Sequence, residues 1–161
     1  MYFGKLILFV FMSILQVAIT IAGSFILGIY IANPILFILS AVLVSVVFMV
    51  LMYSLVSALG NVGKAVSIVL LVLQISGTGG IYPVEIMRQF FQVINPYLPM
   101  TYAITLIREA QLGLVWIRFI PALVVLVAIG IITVIVMLIV KEKADKRAHY
   151  FEKRLEDSGL F

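Results

Sequence analysis

The chain has 161 residues, of which 65% are hydrophobic and 11% charged, and its mean hydropathy is +1.28. These values exclude an ordinary water-soluble domain and indicate lipid as the solvent. The net charge of +4 does not indicate nucleic-acid binding, because the lysine and arginine residues are scattered at the ends of apolar runs and form no basic face. With no cysteine and one histidine, the sequence excludes thiolate catalysis and disfavours a metal site.

Four apolar runs are long enough to be membrane-spanning helices. They cover residues 6–30, 35–59, 65–82 and 119–140, and Pro34 stands where it can open the second helix. The third run is the shortest, since a helix of its length reaches about 27 Å against a hydrocarbon core of about 30 Å. The predicted fold class is therefore all-α, a polytopic membrane protein with four transmembrane helices.

Lysine and arginine positions predict the orientation, because cytoplasmic loops are enriched in both. With a cytoplasmic N-terminus and C-terminus, eight of the eleven lysine and arginine residues lie on the cytoplasmic side, and only Arg88, Arg108 and Arg118 lie on the outer side. The charged tail, residues 141–161, is then a cytoplasmic helical extension of the last span. A cleaved signal peptide over residues 1–22 is disfavoured, because the first apolar run continues past the usual length of such a segment.

A polar segment rich in proline and glycine separates the third and fourth spans, and it predicts an outer helical hairpin over residues 83–113. Apolar residues at helical spacing predict a short amphipathic helix that begins at Pro83 and stops at Pro96. A second helix is expected from Pro99 to a left-handed cap at Gly113.

Neither predicted helix of this hairpin is apolar enough to cross a bilayer, and Arg88 and Arg108 are costly in lipid. Non-helical backbone at membrane depth requires protein or water around its polar groups. A re-entrant hairpin meets these conditions. The alternative is an interfacial loop held at the headgroups by an aromatic belt that includes Phe90, Tyr97 and Trp116.

Polar side chains recur on one face of the first span, at Ser13, Gln16, Thr20 and Ser24, and Gln74 adds another in the third span. Two hypotheses fit this pattern. The polar face lines a substrate path, or its small and hydroxyl-bearing residues let membrane helices approach one another.

The sequence predicts no catalytic, cofactor-binding or metal-binding residue, and hence no enzyme. The stretch GNVGKA at residues 60–65 departs twice from a phosphate-binding loop: Ala58 stands where the first glycine belongs, and Ala65 follows the lysine. Any ATPase must be a separate protein. The pairs Glu85 with Arg88 and Arg108 with Glu109 are interpreted as solvated or helix-capping charges.

The order of glycine, proline and polar residues in the outer segment resembles that of the C-terminal membrane region of the YhgE/Pip (phage infection protein) family and, more distantly, that of the ABC type-2 exporter membrane domain. The residues that carry the resemblance are Ser76 and Gly77, Pro83 and Glu85, Asn95 and Pro96, Thr101 to Ala103, and Arg108.

The resemblance implies a permease of the bacterial plasma membrane that exports with a separate nucleotide-binding ATPase subunit and forms a homodimer. It also implies that an N-terminal half of the membrane unit lies outside this chain. The outer hairpin is then a gate, formed by Gly77, Gly79, Gly80, Pro83, Glu85, Asn95, Pro96, Pro99, Tyr102 and Arg108. Two alternatives stay open: a non-transporting surface component that a phage engages, and an inactive gene fragment.

Overall fold

The protein was analysed in a computed structural model that describes residues 2–79 and 83–157, and in these residues the regular structure is helical. Two short 3-10 turns accompany the α-helices, at Val84–Ile86 and Asn95–Tyr97. The α-helices are α1, Tyr2–Ile26; α2, Pro34–Gly77; α3, Gln89–Ile94; α4, Pro99–Leu112; and α5, Trp116–Asp157.

Three helices in the described residues are long and apolar enough to cross a membrane: Gly4–Ile26, Pro34–Gly77 and Trp116–Val140. Four transmembrane helices were predicted and the described residues contain three such helices, because the second and third predicted runs are joined in α2. A straight helix of 44 residues would measure about 66 Å, twice the hydrocarbon thickness of a bilayer. The bend inside α2 therefore decides how this part of the chain fits a membrane.

Helix α2 is interrupted at Gly60, where φ is +59° and ψ is −127°. These angles suit glycine and strain residues that carry a side chain. Three residues later, a Cβ added to Gly63 would lie 2.5 Å from the carbonyl oxygen of Leu55. Residues eight apart in an unbroken helix are separated by about 12 Å along its axis. The chain therefore folds back at Gly60, and we call residues 34–59 and 61–77 the first and second halves of α2.

Helix α1 ends at Ile26 and not at residue 30, where its apolar run ends. Gly28 has φ of +67°, its N–H donates to the carbonyl oxygen of Phe25 at 3.1 Å, and the N–H of Ile29 donates to that of Ser24 at 3.1 Å. This is a Schellman cap, which satisfies carbonyls that the helix leaves unpaired. Hydropathy alone does not predict this helix end, because the residues beyond it are still apolar.

The first helix of the predicted outer hairpin is divided. A 3-10 turn at Val84–Ile86 is followed by extended backbone at Arg88, with φ of −59° and ψ of 146°, and α3 begins only at Gln89. Gln92 gives the physical reason, since its amide nitrogen donates to the carbonyl oxygens of Glu85 and Met87 at 3.1 and 2.8 Å. These side-chain bonds replace the helical ones, so the prediction of one continuous amphipathic helix is wrong.

Helix α4 begins at Pro99 and ends before Gly113, as predicted, but the cap differs from the expected one. Gly113 has φ of 142° and ψ of 134°, which is an extended mirror conformation rather than the compact left-handed turn. Its N–H still donates to the carbonyl oxygen of Glu109 at 3.3 Å. The extended backbone leads at once into α5, which starts at Trp116 instead of residue 119.

The core joins α1, the first half of α2, α4 and α5. Its buried side chains are Ile21, Phe37, Ala41, Val47, Ala103, Leu106, Ala110, Phe119, Ala122 and Leu126. A smaller cluster of Leu6, Val50 and Met137 joins the same helices further along. Because α4 contributes Leu106 and Ala110, which are completely buried, the second arm of the outer hairpin is part of the helical bundle.

Candidate functional site

The end of α2 is tied to the turn between α3 and α4 by one side-chain hydrogen bond. Asn95 donates from Nδ2 to the carbonyl oxygen of Gly77 at 2.7 Å. The last carbonyls of a helix lack partners within the helix, so this bond satisfies a group that would otherwise be orphaned. Gly77 also packs closely on the turn, because an added Cβ would lie 2.7 Å from Cδ1 of Leu98 and that side chain would have to shift.

The turn itself is closed by two hydroxyl groups of α4. Thr101 donates from Oγ1 to the carbonyl oxygen of Asn95 at 2.7 Å, and Tyr102 donates from its phenolic oxygen to that of Pro96 at 2.7 Å. The N–H of Leu98 donates to the carbonyl oxygen of Asn95 at 3.1 Å. The two arms of the hairpin are therefore locked to each other at their junction.

The structure brings together part of the predicted gate. Gly77, Asn95, Pro96, Pro99 and Tyr102 meet at this junction, which we call the α2–turn junction. Gly79 follows it at φ of +70°. The remaining predicted residues fall elsewhere: Pro83, Glu85 and Arg108 are exposed, and Gly80 lies outside the described residues.

Two apolar side chains belong to the α2–turn junction and were missed from the sequence. Leu98 is buried against Gly77, and Cδ1 of Phe91 lies 3.4 Å from a Cβ added there. Leu98 stands between two prolines in the stretch NPYLP, which the sequence predicts only as the connection between two short helices. A single apolar residue inside such a turn is the signal that would have indicated it.

Helix α4 is fixed at its far end by the connection between α1 and α2. The N–H groups of Ala32 and Asn33 donate to the carbonyl oxygens of Gln111 and Ala110 at 2.8 and 3.2 Å. These bonds satisfy carbonyls of the last turn of α4. Both ends of α4 are thus held by α2 or its approach, while one side of α4 packs on α5.

Glu109 is buried, which contradicts the prediction of a solvated charge and leaves the predicted alternative of a helix-capping charge. Its Oε2 accepts a hydrogen bond from the N–H of Val115 at 3.1 Å, directly before α5 begins. A carboxylate near a helix N-terminus is electrostatically favourable. Glu109 therefore caps the connection into α5, whereas its neighbour Arg108 is exposed.

The polar face predicted on α1 is divided by packing. Ser13 is buried, and its carbonyl oxygen accepts a hydrogen bond from Oγ of Ser45 at 3.1 Å. Gln16 and Thr20 lie on the exposed side of the helix, and the hydroxyls of Thr20 and Ser24 donate to backbone carbonyls of α1 itself at 3.0 Å. The described contacts of Ser13 are those of helix packing.

Gln74 lies apart from that face, next to a cavity of about 380 Å³ between both halves of α2, the turn before α4 and α5. Its side chain is only 1% exposed. Within the part of the chain that the structure describes, neither its Oε1 nor its Nε2 has a hydrogen-bond partner, and the same holds for Oγ1 of Thr78. The cavity otherwise has mostly apolar walls.

Comparisons with known proteins agree with the residue pattern. The sequence model of a family described as "ABC-2 family transporter protein" matches residues 1–139. The chain is similar to a protein from Bacillus subtilis (strain 168) named "Uncharacterized protein YhgE", with 30% identity over 121 residues, a match that covers 71% of this chain and 16% of that relative. No solved structure matches.

Both matches confirm the resemblance to a YhgE-like, ABC-2 membrane region. Neither favours the alternatives of a phage-engaged surface component or an inactive fragment. Apolar helices long enough to cross a membrane fit a multi-pass protein of the plasma membrane.

Proposed function

The chain belongs to the ABC-2 family of transporter proteins, and from this premise we propose that it forms part of a permease that exports a substrate across the bacterial plasma membrane. A separate nucleotide-binding subunit hydrolyses the ATP, and a second copy or an N-terminal half completes the membrane unit. The observation that carries the proposal is the family match over residues 1–139. Since the aligned part spans 16% of the curated relative, the activity belongs to the larger assembly.

In the proposed topology the first half of α2 crosses the bilayer and the second half re-enters it from the inner side as far as the turn before α4, which makes four membrane segments with α1 and the apolar part of α5. The fold-back at Gly60 supports this count, as does the close approach of Gly63 to Leu55. The first half is long enough to cross the hydrocarbon core, and the second half is shorter, about 26 Å for residues 61–77.

Charge supports an orientation with both termini in the cytoplasm. Lys5 lies at the start of α1, Lys64 follows the break in α2, and the apolar part of α5 ends at Lys141. A bilayer with these three lysines on its inner side satisfies the positive-inside rule. The outer segment then carries Arg88 and Arg108, which are both exposed.

The proposed gate is a re-entrant hairpin made of α3 and α4. Pro99, at the start of α4, lines the same cavity as Thr133 and Met137 of α5, whereas the end of α4 lies next to the start of α5. Because α4 rises about 21 Å over its length, the turn before it lies far along α5 from the outer end. This depth supports a hairpin that enters the membrane.

Single cysteines test the topology cleanly, because the chain has none of its own. In intact cells, a membrane-impermeant maleimide is expected to label Arg108→Cys and to label Asn61→Cys only after the inner face is opened. Both positions are exposed, so they form a matched pair. Labelling of Asn61→Cys in intact cells would overturn the orientation.

Energy coupling is tested on the affinity-tagged full chain, purified in mild detergent from the cells that naturally produce it. Vanadate-sensitive ATP hydrolysis is expected to co-purify, although the chain has no phosphate-binding loop. An unrelated multi-pass protein with the same tag is the control. If both preparations hydrolyse ATP equally, the separate-ATPase part of the proposal is wrong.

A further inference from the structure

A second cavity, of about 520 Å³, lies between α1 and the first half of α2. Three residues of each helix line it: Lys5, Leu8 and Phe9 of α1, and Tyr53, Val56 and Ser57 of α2. In both helices these residues stand at positions i, i+3 and i+4, so each set lies on a single helix face. We call this cavity the α1–α2 pocket, and its shape is set by the packing of two helices.

The α1–α2 pocket has one polar end and one apolar end. Helix α1 and the first half of α2 are packed neighbours joined by a short connection, so they run antiparallel. Lys5 and Ser57 therefore lie at the same end of the pocket. About 6 Å deeper along the helix axes, the ring centroids of Phe9 and Tyr53 lie 5.3 Å apart. The polarity of the wall thus changes from charged to aromatic within about one helical turn.

The polar end of the pocket is suited to an anion. Lys5 is exposed, and among the residues that the structure describes no carboxylate pairs with it. Ser57 is also exposed, and its hydroxyl makes no hydrogen bond within the same residues. Tyr53 already has an interaction of its own, so only its ring is assigned to the wall. None of the six lining residues is acidic, so a cationic group would find no partner in this wall.

The deeper wall of the pocket is suited to a hydrocarbon chain. Leu8 is 59% exposed and Phe9 is 42% exposed, so the pocket opens sideways toward lipid. A lysine ammonium binds phosphate as a point charge, and a serine hydroxyl can donate a hydrogen bond to the same group. The matching ligand therefore has a phosphate for the polar end, an acyl chain for the apolar end and no positive group that needs a partner. An anionic phospholipid meets these three conditions.

We propose that the α1–α2 pocket binds one anionic phospholipid, with its phosphate at Lys5 and Ser57. One acyl chain lies against Leu8, Phe9 and Val56. Lysine residues at the end of a membrane helix attract anionic headgroups. That this lipid belongs to the inner leaflet rests on the proposed topology, in which Lys5 is cytoplasmic. The binding itself depends neither on that orientation nor on export or an ATPase.

The test uses the full chain in nanodiscs of phosphatidylcholine and phosphatidylglycerol, the anionic probe. Trp116→Phe removes the single tryptophan, and Leu8→Trp places a new one in the pocket wall. Its quenching by brominated phosphatidylglycerol, compared with brominated phosphatidylcholine, measures the preference of the pocket for the anionic lipid. We expect a preference of about fivefold, which corresponds to about 1 kcal/mol for one lysine near the membrane surface. Both leaflets have the same composition, so a wrong orientation leaves this result unchanged.

Lys5→Gln should abolish the preference, and Lys5→Arg should retain it because the charge is kept. Lys64→Gln is the matched control, because Lys64 is also an exposed lysine but does not line the pocket. It should leave the preference unchanged. A tryptophan placed by Ile19→Trp instead of at residue 8 reports the surrounding lipid, since Ile19 is 73% exposed on α1 and lies outside the pocket. It should show no preference. Far-UV circular dichroism checks that every variant is folded.

Three results would overturn the proposal. A preference that survives Lys5→Gln would show that this lysine does not hold the phosphate. Equal losses in Lys5→Gln and Lys64→Gln would mean that the total surface charge, and not the pocket, attracts the lipid. Loss of the preference on addition of millimolar inorganic phosphate, but not of chloride at the same ionic strength, would assign the pocket to a soluble phosphate.

Discussion

The side-chain amide of Asn95 donates a 2.7 Å hydrogen bond to the carbonyl oxygen of Gly77, across 18 positions of sequence. Thr101 in turn holds the carbonyl oxygen of Asn95. The end of α2 and the start of α4 are thus joined by hydrogen bonds through Asn95.

Asn95→Asp should weaken the junction more than Asn95→Ala does. The carboxylate has no hydrogen to donate, so the carbonyl oxygen of Gly77 loses its partner and faces a negative charge. We expect a loss of about 1–3 kcal/mol in the free energy of unfolding for Asn95→Ala, and more for the aspartate. Unfolding in detergent can be followed through the fluorescence of Trp116, the single tryptophan.

Gln89→Glu is the control for the Asn95 variants, since it makes the same change of amide to carboxylate at an exposed position of α3. It should leave the unfolding midpoint nearly unchanged. Equal effects of Asn95→Asp and Gln89→Glu would contradict the role given to the Asn95–Gly77 bond.

Gly63→Ala should disrupt the fold-back of α2. The new Cβ would lie 2.5 Å from the carbonyl oxygen of Leu55 and 2.9 Å from Cα of Val56, and backbone atoms cannot rotate away. We expect a cost of about 1–3 kcal/mol, typical of overpacking. Gly23→Ala in α1 is the control, because apart from the adjacent backbone of its own helix no atom of the described residues lies within 4 Å of its added Cβ. If both variants unfold at the same temperature as the wild type, the close approach at Gly63 is wrong.

A disulfide should form between Val47→Cys and Gly130→Cys and thereby fix the first half of α2 to α5. The Cβ of Val47 lies 3.9 Å from a Cβ added at Gly130, which falls within the range for disulfides. After mild oxidation, we expect the double variant to lose both thiols to a maleimide-polyethylene glycol gel shift. Val47→Cys with Val124→Cys is the control, because Val124 is 59% exposed on α5. Equal oxidation of the two pairs would refute the packing.

Glu109→Leu should destabilise the connection into α5, whereas Glu109→Gln should largely preserve it. The N–H of Val115 loses its acceptor in the leucine variant, at a cost of about 1–3 kcal/mol, but glutamine still supplies an oxygen. Unfolding midpoints of the two variants measure the difference. If glutamine is as harmful as leucine, the negative charge rather than the hydrogen bond is what Glu109 contributes.

Local chemistry made several helix ends predictable. Pro34 and Pro99 begin helices as expected, because proline has a fixed φ and needs no N–H partner in the first turn. The predicted end of α1 and the predicted start of α3 were less accurate. Their positions depend on a glycine cap at Gly28 and on the side-chain bonds of Gln92, which compete with the hydrophobic pattern.

The residues of the site were predictable only in part. Asn95, Pro96 and Tyr102 stood out as turn residues of a family pattern, and the structure places them at one junction. Leu98 did not stand out, and Glu109 was predicted as a solvated or capping charge without its burial, because an apolar residue and a charge carry no sign of burial until their neighbours are known. Gln74 was predicted only as a further polar position in the third span, and the structure buries it.

By itself, the sequence determined the solvent of this protein, its helical class and the residues at which helices can start or stop. These properties follow from hydropathy and backbone preferences over a few consecutive residues. Only the tertiary structure decided that α2 folds back at Gly60, that Asn95 reaches Gly77, and that Gln74 is buried. Such contacts join residues far apart in the chain, and their geometry comes from the packing of whole helices rather than from any local preference.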